Sequence, residues 1–164
     1  MPIINKTGDL LANHEVNIIC HQANLFTTFG AGIAAAIKEQ YPEAYNADCQ
    51  TNNGDPGKLG TFSSAKTRDG KTVLNCYSQT GMGATERNTS YNDIVTIFAH
   101  IEERVRCYNE RNPSDPLTVG VPYGYGCGLA GGRWKIVSAI FESIFSESSV
   151  NFYIVRLPGT PDIK

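Results

Sequence analysis

The chain has 164 residues, enough for one domain with its own core, and 41% apolar and 18% charged residues, the balance of a globular protein. A formal net charge of −2 argues against a general binder of nucleic acid or membrane surfaces, which carries a basic excess. No apolar run approaches a membrane span, and the opening MPIINKTGDLL lacks the basic-then-apolar order of a secretory signal, so a cytoplasmic protein is expected.

Residues 16–20, VNIIC, predict a short buried strand. Residues 31–40, rich in alanine and isoleucine, predict a helix, and Pro42 suits the first turn of a second one, PEAYNADCQ. TNNGDPGK, 51–58, reads as a loop. LGTFSSAKT and KTVLNCYSQ flank Arg68-Asp69-Gly70, whose Asp-Gly signals a hairpin. TGMGATERNT is a polar loop. Ile94, Ile97, Phe98, Ile101 and Val105 then recur at helical spacing from about Ser90, with Thr89 or Ser90 as N-cap and Asn112-Pro113 as terminator. LTVGVPY, 117–123, predicts a strand, GYGCGLAGG a glycine loop, RWKIVSAIFESIF an amphipathic helix and NFYIVRL, 151–157, the last strand. Strands alternating with helices predict one α/β domain over 1–164 with a largely parallel sheet.

Two glycine loops stand between a predicted strand and a predicted helix. Gly30-Ala31-Gly32-Ile33-Ala34-Ala35 and Gly126-Cys127-Gly128-Leu129-Ala130-Gly131 both fit G-x-G-x-x-[GA]. Glycine lets a backbone approach phosphate oxygens without a Cβ in the way, and free N–H groups at a helix start donate to them. The pair points to a diphosphate at the carboxyl ends of the strands. Either loop alone reads equally well as a plain turn. The P-loop pattern is absent, and a dinucleotide fingerprint fits poorly: nine residues separate Cys20 from Gly30, and Asp48 stands where an acidic strand end would be needed.

Four segments resemble the macrodomain, a module that binds ADP-ribose. They are Gly8-Asp9-Leu10-Leu11, His21-Gln22-Ala23-Asn24 running into Gly30–Ala34, Pro122–Leu129 with Trp134 behind it, and Phe152–Leu157. The resemblance implies a three-layer macrodomain fold, a mixed but largely parallel central sheet flanked by helices. It also implies ligand contacts. Asp9, beside the Leu10 backbone, would accept from the adenine amino group. Gly30, Ala31, Gly32 and Ile33 would cradle one side of the pyrophosphate and distal ribose; Tyr125, Gly126, Cys127, Gly128 and Leu129 would close over the other. Asn24 would bond the distal ribose hydroxyls. Gln79 follows the middle strand, and Phe152, Tyr153 or Arg156 would lie near the adenine. Read alone, Asp9 is as well explained as a turn or helix cap.

Within the family the chain resembles the branch of small members holding the fungal ADP-ribose-1''-phosphate phosphatase and enzymes that remove ADP-ribose from glutamate or DNA. The phosphatase type carries His-x-Cys-Asn; here His21 and Asn24 match and Ala23 replaces the Cys. The hydrolase type uses a lysine after the middle strand and an acid in the second loop, where this chain has Cys76-Tyr77-Ser78-Gln79-Thr80 and Ala130. The expected activity is therefore ADP-ribose-1''-phosphate phosphatase, with His21 and Asn24 catalytic. The alternatives are an ADP-ribosyl hydrolase acting on an ADP-ribosylated macromolecule, or a reader of ADP-ribose without chemistry. A histidine titrating near neutral pH could protonate the anomeric oxygen or attack phosphorus. Glu86 and Asp93 are candidates to orient it. His14 reads as solvated and His100 as a structural or surface residue of the amphipathic helix.

No metal-ligand cluster stands out, so neither metal nor cofactor is expected. The five cysteines, Cys20, Cys49, Cys76, Cys107 and Cys127, are odd in number with no C-x-x-C, which favours reduced thiols over zinc or a disulfide framework. The expected state is a monomer.

Overall fold

The computed structural model describes residues 3–81 and 86–163. In chain order these form β1 (Ile3–Thr7), a 3-10 turn (Leu10–Ala12), β2 (Ile18–Asn24), α1 (Gly32–Gln40), α2 (Pro42–Cys49), a second 3-10 turn (Pro56–Lys58), β3 (Phe62–Lys66), β4 (Thr72–Gln79), α3 (Tyr91–Arg111), β5 (Val119–Pro122), α4 (Trp134–Phe145) and β6 (Phe152–Arg156). Of the loop read over 80–89, residues 82–85 lie outside the described residues.

One sheet carries all six strands in the order β1-β6-β5-β2-β4-β3. Every neighbouring pair is parallel except β3 with β4, the hairpin that Asp69-Gly70 predicts. The core lies on both faces, as parallel strands require. On one face Ile94, Ile97, Phe98, Ile101 and Val105 of α3 and Val137, Phe141 and Phe145 of α4 pack on Cys20, Cys76, Val121 and Phe152. On the other, Ile37 of α1 and Ala44 of α2 pack with Leu10, Leu11, Val16, Ile19 and Tyr153. The result is the expected three layers. The helical spacing read from Ile94 to Val105 is the buried stripe of α3, and Ser90 is its N-cap, its hydroxyl accepting from Asp93 N–H at 3.3 Å.

One element differs from its sequence reading. β2 runs to Asn24 rather than stopping at Cys20, so His21–Asn24 are strand residues, paired with β4 from His21↔Asn75 to Asn24↔Gln79. Polar side chains weaken the strand signal there, but β4 supplies polar partners for His21 and Gln22. α4 starts at Trp134, inside the stretch read as an amphipathic helix, but the second glycine loop does not run straight into it. That loop closes on itself first, through Gly132 N–H to the Gly126 carbonyl at 2.9 Å. Among the described residues no helix is long and apolar enough to cross a membrane.

Candidate functional site

The five parallel strands end along one edge of the sheet. In sheet order that edge carries Asp9 after β1, Leu157 after β6, Tyr123–Arg133 after β5, Leu25–Ala31 after β2 and Thr80 after β4. β2 and β5 are neighbours, yet they pair only at Ile18↔Val119 and Ile19↔Gly120. Beyond those residues β2 stays with β4 to Asn24↔Gln79, and β5 stays with β6 to Pro122↔Val155. The chain leaves β2 for the α1/α2 face and leaves β5 for the α4 face. That is a topological switch point, where open α/β sheets bind ligands, and one glycine loop borders it on each side.

The first loop is built by local bonds. Asn24, at the end of β2, accepts from Phe26 N–H and donates to Thr28 Oγ1, each at 2.8 Å. Its amide thus shapes the turn that leads to Gly30. The segment 52–54 braces the loop from behind: Gly54 N–H donates to the Leu25 carbonyl at 2.7 Å and Thr27 N–H to Asn53 Oδ1 at 3.2 Å. Gly30, Ala31 and Gly32 are exposed and Ile33 half-buried. No side chain caps α1 at Ala31, whereas Ser90 caps α3. A Cβ added at Gly30, Gly32 or Gly128 meets no described atom within 4 Å.

The second loop is held from beneath. Gly126 has φ +72° and no room: an added Cβ would lie 3.0 Å from Gln22 Oε1 and 3.2 Å from Thr89. The Thr89 hydroxyl donates to the Gly126 carbonyl at 2.6 Å. The Ala130 carbonyl accepts from Asn88 and Thr89 N–H. Gly128 and Leu129 form the exposed tip, Leu129 being 69% exposed. Cys127 is half-buried, its Sγ turned to the Tyr125 carbonyl at 3.3 Å, and burial pushes its thiol up to about 11. The Tyr125 side chain is in the core against Phe98 and Phe141, its hydroxyl 2.7 Å from Ser78 Oγ, so only its backbone is at the loop.

His21 is fully buried. Asn75 spends its amide nitrogen on the Ala44 carbonyl and Ser63 Oγ, which turns Oδ1 toward the ring, and His21 Nε2–H donates to it at 2.7 Å. Phe29 packs edge-on at 5.2 Å, and Nδ1 is buried without a hydrogen-bond partner among the described residues. Burial pulls the imidazole down from 6.5 to about 4, so it is neutral at physiological pH. Glu86 is exposed, and Asp93 lies in the first turn of α3.

At the β1 end, Asp9 is exposed and caps the 3-10 turn, Oδ1 accepting from Leu11 N–H at 3.0 Å, while the Leu10 side chain is core. Phe152 and Tyr153 belong to the two cores. Arg156 folds back: Nε and Nη2 donate to the Thr160 carbonyl, Nη2 pairs with Asp162 Oδ1 at 2.7 Å, and the guanidinium lies 4.5 Å over the Tyr123 ring. Gln79 sits at the β4 end, Nε2 donating to the Gly81 carbonyl at 2.6 Å.

No protein-family model matches the chain. An uncharacterized 17.5 kDa protein of the tk–vs intergenic region of enterobacteria phage T4 is 29% identical over 148 residues, 87% of this chain and 90% of that protein. The macrodomain of Mycobacterium tuberculosis DarG superposes with a TM-score of 0.72 at 22% identity, covering 96% of this chain and 98% of that one. The chain has the macrodomain fold. Thermosipho africanus DarTG, solved in complex with ADP-ribose, gives a TM-score of 0.63 at 16% identity over 92% of this chain and 40% of that one.

In this macrodomain fold the glycine loops, Asp9 and Gln79 lie along one sheet edge, whereas His21 and the ring of Tyr125 point into the interior. Sequence reasoning missed Gln22, Ser78 and Thr89, which join the loops from below. The available signal was a glutamine inside a strand covered on both faces, where an amide needs partners.

Proposed function

We propose that the chain binds ADP-ribose lengthwise along the carboxyl edge of the sheet. The observation that carries this reading is the parting of β2 from β5 with a glycine loop on each side. The adenine lies at the Asp9 end, the pyrophosphate between Gly30–Ile33 and Gly126–Leu129, and the distal ribose toward Asn24 and Gln79. Uncapped N–H groups at the start of α1 supply donors for the phosphate oxygens. The fold shared with DarTG, which was solved with ADP-ribose, supports the same ligand.

The test is calorimetric titration of ADP-ribose into the wild type and into Gly30→Glu and Gly128→Glu. Neither glycine has a left-handed φ, and an added Cβ at either meets no described atom within 4 Å, so both variants should fold. Each sets a carboxylate beside the pyrophosphate and weakens binding by about tenfold or more through like-charge repulsion. Wild-type affinity in both variants contradicts the reading.

ADP-ribose-1''-phosphate phosphatase activity is the second reading. It is favoured by a histidine with a bare Nδ1 three residues before Asn24. It requires that ring to reach the ligand from a fully buried position, so binding without chemistry is the better-supported conclusion. Phosphorus NMR of ADP-ribose-1''-phosphate separates the two. Release of inorganic phosphate that is lost in His21→Gln establishes the phosphatase. Persistence of the 1''-phosphate signal while the pyrophosphate resonances shift establishes the binder. An ADP-ribosyl hydrolase, opposed by Gln79 and by the buried Ala130, would release ADP-ribose from a modified macromolecule instead.

A further inference from the structure

Gln22 joins three segments beside the switch point where β2 parts from β5. Its Oε1 accepts from Ser78 Oγ at 2.7 Å. Its Nε2 donates to Thr89 Oγ1 at 2.9 Å and to Gln79 Oε1 at 3.4 Å. The Thr89 hydroxyl, spent as acceptor toward Gln22, gives its own hydrogen to the Gly126 carbonyl at 2.6 Å. Ser78 Oγ also meets the Tyr125 hydroxyl at 2.7 Å. One amide on β2 therefore ties the end of β4, the residue before the α3 cap and the first glycine of the second loop. The contact at Gly126 is close enough that an added Cβ would crowd Gln22 Oε1.

We infer that Gln22 is the positioning residue of the ADP-ribose site: its amide, through Thr89, fixes how far the second glycine loop stands from β2, and so sets the width of the crevice that receives the pyrophosphate. This inference rests on the ADP-ribose reading. β2 and β5 share no ladder beyond Ile19 and Gly120, so the backbone pairing of these two strands does not hold the loop to β2. The relay Gln22–Thr89–Gly126 spans the gap. A half-buried amide with its partners satisfied holds one geometry, and losing one member leaves the others without those partners.

The test uses Gln22→Met, which keeps length and removes all three side-chain hydrogen bonds, and Thr89→Val, which removes the second link. Both are measured well below their melting temperatures, alone and combined, against ADP-ribose and AMP. AMP has the adenine but neither the second phosphate nor the distal ribose. The expected result is ADP-ribose binding weaker by about tenfold in each variant, as for a lost buried hydrogen bond, with AMP affinity held within about twofold. The double variant is no weaker than the worse single one, because both cut the same relay. Amide shifts move at Gly126–Gly132 and stay fixed at Gly30–Ile33. Unchanged ADP-ribose affinity in the folded variants, equal losses for both ligands, or additive losses overturn the inference. If the wild type fails to bind ADP-ribose, the ADP-ribose reading falls, and the amide shifts then decide alone: unchanged signals at Gly126 and Gly128 in Gln22→Met overturn the positioning role.

Discussion

His21 on β2 donates through Nε2 to Asn75 Oδ1 on β4, 2.7 Å away and directly opposite in register. The bond fixes the neutral tautomer, and burial holds the imidazole down from 6.5 to about 4. The unfolded chain takes up its proton near 6.5, while the folded chain does so only near 4. Protonation between these values favours unfolding, so stability is full above about pH 6.5 and falls as pH drops toward 4. For a shift of this size the loss is on the order of 3 kcal/mol. Asp48, raised chiefly by burial, works in the opposite direction at the acid end. Urea unfolding of wild type and His21→Gln across pH 4.5–7.5 isolates the histidine: the difference between the two curves should carry the slope. Parallel curves would contradict the assignment. Because no atom of His21 is exposed, ADP-ribose affinity at pH 7.5 should stay within about twofold, as for substitutions outside a contact.

The proposed ADP-ribose site gives Asp9 two separable jobs. Its cap on Leu11 is a bond that asparagine can also accept, while recognition of an adenine amino group needs the remaining carboxylate oxygen. Asp9→Asn should melt like wild type yet bind ADP-ribose about tenfold more weakly, the loss of a charged hydrogen-bond acceptor. Asp9→Ala should show the same weakening and also lose about 1 kcal/mol of stability. Equal melting temperatures for all three proteins would remove the cap from the account.

Gly132 donates to the Gly126 carbonyl, and a Cβ there would overlap that carbonyl. Gly132→Ala should destabilise by about 1–3 kcal/mol, as overpacking does, and should abolish ADP-ribose binding. Gly128→Ala, four residues away at the open tip, should unfold like wild type in the same thermal melts. A stable, ligand-binding Gly132→Ala would contradict the closed-loop geometry.

How far the molecule was legible follows from these residues. Helical spacing at Ile94–Val105 marked α3 because a buried stripe needs nothing beyond its own period. Asp69-Gly70 marked the hairpin because turn chemistry is local. The length of β2 was not legible, because His21–Asn24 are held as strand by pairing with β4, which is distant in sequence. The two glycine loops were found by pattern, but their meeting depends on β2 and β5 being neighbours, which only the sheet order supplies. His21 looked reactive since a sequence does not say which face of a strand a ring takes. Gln22 was overlooked for the same reason.

Arg156 binds the segment after β6 rather than standing free. Asp162 is 90% exposed at its side chain, so its ion pair contributes little and Asp162→Ala should change stability by no more than about 0.5 kcal/mol. Arg156→Ala removes the bonds to Thr160 and the stack on Tyr123, and should speed proteolysis within 157–163. Equal cleavage rates in Arg156→Ala and wild type would show that the clasp does not hold this segment.

The central claim is that one ligand spans the two glycine loops. Nitrogen-edited NMR during an ADP-ribose titration tests it most directly. The amides of Gly30–Ile33 and of Gly126–Leu129 should shift together along a single binding curve. Silence in both loops at millimolar ADP-ribose, or a response confined to one of them, would contradict it.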